Sequence, residues 1–176
     1  ISKVEILSPK TFIGDSKKIE DKKVLEIRRF SKLLSIDLTS GISLAIHLKM
    51  TGQLVFVPPR GKKIVGGHPQ DPTRHTRRIF YFTDGSRLLF NDLRKFGWIK
   101  TVPENELARI FKNAGVEPLS AEFTVARFKD LLKRFPKRRA KPFLLDQNLV
   151  AGLGNIYVDE SCFLAGIKPT RTVKSL

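Results

Sequence analysis

Two different periodicities meet near residue 102, and that change constrains the fold more than any other feature of the sequence. Before it, segments 24–30, 32–38, 42–48 and 53–57 are β-branched or leucine-rich and partly alternate, the signature of half-buried strands. Ser40-Gly41 suits a two-residue hairpin turn between the second and third segments. Asp84-Gly85 is a strong hairpin signal between 77–82 and 87–90. Segment 58–76 is rich in Pro, Gly and cations and reads as a long surface loop. After Val102 the pattern turns helical. Pro103-Glu104 opens a helix to about Asn113 with Gly115 as its stop, and Ser120 with Glu122-Phe123 caps a longer one through Phe135. A basic linker bounded by Pro136 and Pro142 follows, then a short helix over about 143–149, a glycine-containing turn, and a helix from near Asn155. The expected fold is α+β: an N-terminal antiparallel β-sandwich over 1–102, then a helical domain over 103–176. Short strands at this spacing suit a sandwich or barrel.

Charge bears on partners rather than on fold. The chain has 33 Lys+Arg against 17 Asp+Glu, a formal net charge of +16. That excess points to a polyanion, with nucleic acid first because binding releases counterions. An anionic membrane surface comes second. No run approaches the roughly 20 apolar residues of a membrane span, and no signal peptide is visible. A single cysteine, Cys162, excludes an internal disulfide framework and a multi-cysteine metal site; it reads as a small buried hydrophobe on a helix. His47, His68 and His75 lack a carboxylate pattern suited to a metal and read as exposed or hydrogen-bonded residues.

Three constellations carry chemistry. Within KPFLLDQNLVAGLGNIYVDE (141–160), Gly152 and Gly154 precede a helix start, where unpaired amides and the helix dipole favour an anion. Asn155 adds a donor there, and Lys141 or Lys137 a charge. The competing reading is a tight interhelical turn with Asn155 as N-cap. Segment 91–98 (NDLRKFGW) places Arg94 and Phe96 where a guanidinium and a ring can enter a duplex. It also reads as a β-turn with Phe96 and Trp98 in the core and Arg94 paired with Asp92. In 46–54 (IHLKMTGQL), Met50 is either core or a flexible apolar probe.

In that order, HLKMTGQL, RHTRRIFYFTDGSRLLFNDLRKFG and KPFLLDQNLVAGLGNIYVDE resemble the formamidopyrimidine-DNA glycosylase family of base-excision repair enzymes, from about Val24 to Pro169. The resemblance implies a β-sandwich followed by a helical domain with a helix–two-turn–helix motif, and normally a zinc finger after it. It implies a bifunctional glycosylase/AP lyase that removes oxidised purines (formamidopyrimidine, 8-oxoguanine) from duplex DNA. An N-terminal proline amine attacks C1′, a Schiff base forms and elimination cuts the strand, with a neighbouring glutamate moving protons. Matched by motif, Lys32 falls on the family's catalytic lysine. Met50, Arg94 and Phe96 fall on the residues that fill the gap left by an everted nucleotide, Arg94 facing the orphaned base. His75, Lys137 and Asn155 fall on DNA contacts, with Gly154 in the phosphate loop and Tyr157 beside it; Glu160 falls on a structural or pocket-lining glutamate. The partner implied is double-stranded DNA with an oxidised purine or an abasic site, bound by a monomer in the bacterial cytoplasm at the nucleoid, away from membranes. The family's Pro-Glu start and zinc-finger cysteines have no counterpart in these residues. The expectation is therefore a fragment of a longer, Zn2+-binding protein, or else a degenerate paralogue, with no metal bound by these residues and no catalysis from them alone. A non-catalytic basic nucleic-acid-binding module is the alternative.

Overall fold

The computed structural model describes residues 1–59, 71–112 and 114–176. Most of the expected surface loop, with His68, lies outside the described residues, as does Asn113 at the expected end of the first helix. The chain forms two compact units, Ile1–Ala108 and Arg109–Leu176.

The first unit is built from β1 (Lys3–Ile6), β2 (Phe12–Ile13), β3 (Val24–Phe30), β4 (Leu33–Leu38), β5 (Ile42–His47), β6 (Gly52–Val57), β7 (Thr76–Tyr81), β8 (Arg87–Asp92) and β9 (Trp98–Pro103). One sheet runs β1-β7-β8-β6 and the other β2-β9-β5-β4-β3. Pairing is antiparallel throughout except between β2 and β9, which run parallel. Val4, Phe80 and Phe90 of the first sheet share one cluster with Ile36, Leu38, Leu44, Ile46 and Ile99 of the second, which closes the expected sandwich. Each fully buried side chain of this kind stabilises the fold by about 1.5–3 kcal/mol.

The six expected strands agree within a residue or two with β3 to β8, whereas β1, β2 and β9 are additions. The sequence hides β9 because Trp98 reads as the end of a loop and Pro103 as a helix start. Both belong to a strand paired with β5 from Ile42↔Pro103 to His47↔Trp98. Pro103 is tolerated because it closes the strand, where its missing N–H costs no interior ladder bond. The β4–β5 reversal takes three residues rather than two, between paired Leu38 and Ile42, with Ser40 and Gly41 at φ 72° and 65°. At the second hairpin Gly85 takes φ 82°, and the Asp84 carboxylate accepts the Ser86 amide at 2.9 Å.

Helix α1 (Glu104–Lys112) starts in the first unit and ends in the second; α2 (Val125–Arg134), α3 (Ala140–Leu145) and α4 (Asn155–Leu164) follow. The cap of α2 is Thr124, whose hydroxyl accepts the Arg127 amide at 3.2 Å. Ser120 sits in the preceding turn and donates to the Glu117 carbonyl at 2.8 Å. The basic linker ends at Arg139, earlier than expected. Pro142 lies inside the first turn of α3, where no intrahelical bond needs its N–H. Phe143, fully buried, stacks at 6.2 Å from the Phe128 ring and 6.3 Å from that of Phe135. Gly115 is held in a tight contact with the chain at Leu149. A Cβ there would lie 2.3 Å from the Leu149 carbonyl carbon, so only glycine permits the approach that pairs Val116 with Val150.

Candidate nucleic-acid interface

In the first unit, strand register assembles the site. β6 pairs with β8 from Val57↔Arg87 to Gly52↔Asp92, which brings the Met50–Thr51 turn against the loop 93–97. Met50 is 73% exposed and Phe96 54%, so neither is a core residue. Arg94 Nη1 lies 3.0 Å from Met50 Sδ, and its guanidinium stacks 4.6 Å above the Phe96 ring. A thioether, a guanidinium and a phenyl ring thus share one exposed cluster at the tips of two adjoining loops. Trp98 starts β9 instead, half-buried and 5.9 Å from the His47 ring.

The Arg94 side chain does not pair with Asp92, contrary to the β-turn reading. The Asp92 carboxylate is taken by other donors: the Thr51 hydroxyl and the Arg94 amide at Oδ1, and the Gly97 amide at Oδ2, 2.7 Å away. Asp92 is fully buried. Burial alone would raise its pKa, but the Thr51 hydroxyl and the amides of Gly97, Arg94 and Lys95 outweigh it and hold the carboxyl below the ordinary value. The Asp92 amide also donates to the His75 carbonyl at 2.9 Å, which sets His75 beside these loops. His75 is half-buried and its Nε2 accepts from Arg74 at 3.2 Å.

Lys32 lies in the β3–β4 turn after Ser31 at φ 55°. It borders a recess of about 290 Å³ with Arg29, Ser31, Leu34, His47, Leu48 and Lys49. Desolvation, then the charge of Lys49, lowers the Lys32 pKa. Burial, then Lys49 and Lys32, lowers that of His47, whose Nδ1 accepts the Lys49 amide at 3.0 Å. The recess carries the cations of Lys32, Lys49 and Arg29 and is lined by the His47 imidazole.

In the second unit, α4 is capped by Gly154 at φ −120°, and Asn155 is its first helical residue rather than its N-cap. Asn155 and Tyr157 are exposed on the first turn, Tyr157 at 68%. Gly152, at φ 98°, adopts the left-handed conformation that glycine permits. The loop is held by a residue the sequence reading passed over. Gln147 Nε2 donates to the carbonyls of Leu145 and Leu153, both at 2.9 Å, and its Oε1 accepts the Gly152 amide at 3.0 Å. Lys141 is not available as the loop's charge, because its ammonium pairs with Asp159 at 2.8 Å. Lys137 is exposed between α2 and α3, and Glu160 is exposed on α4.

Cys162 is buried, as expected, and its thiol pKa is raised by burial. Among the described residues no three His, Cys, Asp or Glu cluster to hold a metal ion, so they do not fit the zinc that the resemblance implies. No described helix is long and apolar enough to cross a membrane.

A family model for the formamidopyrimidine-DNA glycosylase N-terminal domain matches residues 1–99, and one for the formamidopyrimidine-DNA glycosylase H2TH domain matches 114–176. The formamidopyrimidine-DNA glycosylase of Pelotomaculum thermopropionicum is 43% identical over the whole chain and 63% of its own length. That of Herpetosiphon aurantiacus is 36% identical over 98% of the chain and 59% of its own length. Among solved structures, Lactococcus lactis Fpg (MutM) in complex with a Fapy-dG-containing DNA matches with a TM-score of 0.85 at 30% identity, covering all of this chain and 64% of that one. A complex of the LlFpg protein with THF-DNA and an inhibitor gives a TM-score of 0.85 at 30% identity, with the same coverage. The chain thus spans less than two thirds of the length of these relatives.

Proposed function

Given that the chain belongs to the formamidopyrimidine-DNA glycosylase family, we propose that it is the DNA-gripping and duplex-opening part of a base-excision repair glycosylase/AP lyase acting on oxidised purines. The observation that carries this reading is the exposed cluster of Met50, Arg94 and Phe96 on two loops joined by Asp92. An exposed ring and thioether are costly in water but fit between unstacked bases, and the guanidinium beside them can satisfy the hydrogen-bonding edge of the base left without a partner. The solved relatives include complexes with Fapy-dG DNA and with THF-DNA, which is consistent with a duplex carrying a damaged or missing base as partner.

The other assigned residues take supporting roles. Asn155 and the amides at the start of α4 hold one backbone phosphate, with Gly154 and Tyr157 shaping the approach. Lys137 and His75 add further backbone contacts. Lys32, at the rim of the cationic recess, binds a phosphate and assists elimination; its lowered pKa eases the proton exchange this requires. The family's proline amine forms the Schiff base with C1′, and its zinc finger supplies the remaining DNA contact.

The test is base release from 8-oxoguanine and formamidopyrimidine duplexes by the full-length protein, with borohydride trapping of the Schiff base. Release with a covalent adduct supports the reading. A protein that binds duplexes, releases no base and forms no adduct is a binding module, and the reading fails. Arg94→Ala separates the same two classes. In a glycosylase it weakens binding to lesion and abasic duplexes selectively, whereas in a module it weakens binding to all duplexes alike.

A further inference from the structure

Asp92 lies at the meeting point of three segments that are distant in sequence. Its amide bonds the His75 carbonyl, and its own carbonyl accepts Arg77 Nε at 2.8 Å. Its carboxylate accepts one hydroxyl from the Met50 loop and the amides of Arg94, Lys95 and Gly97 from the loop 93–97. The Arg94 amide is shared, since it also lies 3.1 Å from Thr51 Oγ1. Behind this joint the packing leaves no slack. A Cβ on Gly52 would lie 2.3 Å from the Leu48 carbonyl oxygen, and one on Gly97 2.8 Å from Phe90 Cζ and 3.1 Å from Asp92 Oδ2. The loops therefore cannot shift against one another without breaking bonds to a buried carboxylate.

We propose that Asp92 is a positioning residue that fastens the Met50 loop to the Arg94–Phe96 loop through Thr51, so that the three exposed side chains enter a duplex as one rigid unit. This rests on the reading of Met50, Arg94 and Phe96 as duplex-inserting residues. The chemistry requires a carboxylate. Four donors, the Thr51 hydroxyl and the amides of Arg94, Lys95 and Gly97, converge on its two oxygens, so an asparagine would turn its own NH2 towards a donor and leave buried groups unpaired. Thr51 is the other half of the joint: its hydroxyl donates to Asp92 and its oxygen accepts from Arg94, which serine can reproduce and valine cannot.

The measurement is the ratio of affinities for a duplex with a tetrahydrofuran abasic analogue over the intact duplex, in the full chain, with folding checked by circular dichroism and urea midpoint. Asp92→Asn and Thr51→Val should each reduce the wild-type ratio at least tenfold, towards that of Arg94→Ala, and Thr51→Ser should restore it. In a Met50→Ala/Phe96→Ala background, Asp92→Asn should change the ratio no further, because nothing remains to be positioned. If Asp92→Asn fails to fold, the Thr51 pair carries the test. The proposal is overturned if Thr51→Val keeps the wild-type ratio while Arg94→Ala loses it, or if Asp92→Asn acts independently of Met50 and Phe96. If Arg94→Ala itself keeps the ratio, the inserting reading beneath the proposal fails instead.

Discussion

Replacing Gln147 with leucine removes the side chain that shapes the Gly152–Asn155 loop while keeping a similar volume. Three hydrogen bonds disappear, to Leu145, Leu153 and Gly152. At a net value of about 0.5–1.5 kcal/mol each, the sum is roughly 1.5–4.5 kcal/mol. Leu145, Gly152 and Leu153 are half-buried, so water can reach the freed groups and the lower half of that range is expected. The loss falls on the loop more than on the fold, because Phe143 and its ring neighbours do not depend on it. Hydrogen exchange at the Gly152 amide should therefore accelerate strongly in Gln147→Leu, with the unfolding free energy from urea lowered by no more than about 1.5–3 kcal/mol. If the loop holds a phosphate, misaimed amides forfeit one charge-assisted bond worth about 1.5–3 kcal/mol, a loss of roughly ten- to hundred-fold in duplex affinity. Gln147→Glu sharpens the comparison. It keeps an acceptor for Gly152 but turns a carboxylate towards two carbonyls and adds negative charge beside the bound phosphate, so DNA binding should fall further although Gly152 stays protected. Wild-type exchange and wild-type affinity in Gln147→Leu would refute the assignment of this side chain as the loop's support.

Three further outcomes follow from the same structure. Lys137→Ala should lower the slope of log Kd against log salt by about one phosphate contact, measured by fluorescence anisotropy. Gly97→Ala pushes a methyl group against Phe90 and Asp92 and should cost about 1–3 kcal/mol in urea unfolding, as overpacking does. Asp146 is held below the ordinary carboxylate pKa by the Arg138 guanidinium, 2.8 Å away, and then by the Asn148 amide. A depressed carboxylate stabilises the fold fully above its unfolded value, about 3.9, and loses that contribution as pH falls through the folded value. Stability should thus decline on acidification below about pH 4, and Asp146→Asn, less stable at neutral pH, should show a flatter acid limb.

The strands and hairpins were legible where the sequence alternates, because β3 to β8 each expose one face or end in a turn signal. β9 was not, since its aromatic start and proline end imitate a loop and a helix N-terminus; only its pairing with β5 decides the matter. The caps of α2 and α3 were displaced by a few residues because Ser120, Thr124 and Pro142 all satisfy the local rules, and tertiary packing around Phe143 selects among them. At the candidate site, spacing alone placed Met50 and Phe96 in the core, and the resemblance reversed that reading; both side chains are exposed. Asp92 was misjudged for a different reason. Charge suggests pairing it with Arg94, but its true partner Thr51 is 41 residues away, reachable only once the β6–β8 register is known. Gln147 carried no signal, because nothing local marks a side chain that bonds three backbone groups of a loop.

The central claim is that Met50, Arg94 and Phe96 insert into a duplex, and stacking around an abasic site reports on it most directly. A 2-aminopurine placed beside a tetrahydrofuran site should change its fluorescence on binding the wild-type protein, as Phe96 and Met50 take the place of a neighbouring base. In Phe96→Ala and Met50→Ala that change should shrink or vanish at saturating protein, while anisotropy still reports a complex. An unchanged fluorescence response in both variants would contradict the account, because the cluster would then touch the duplex without entering it.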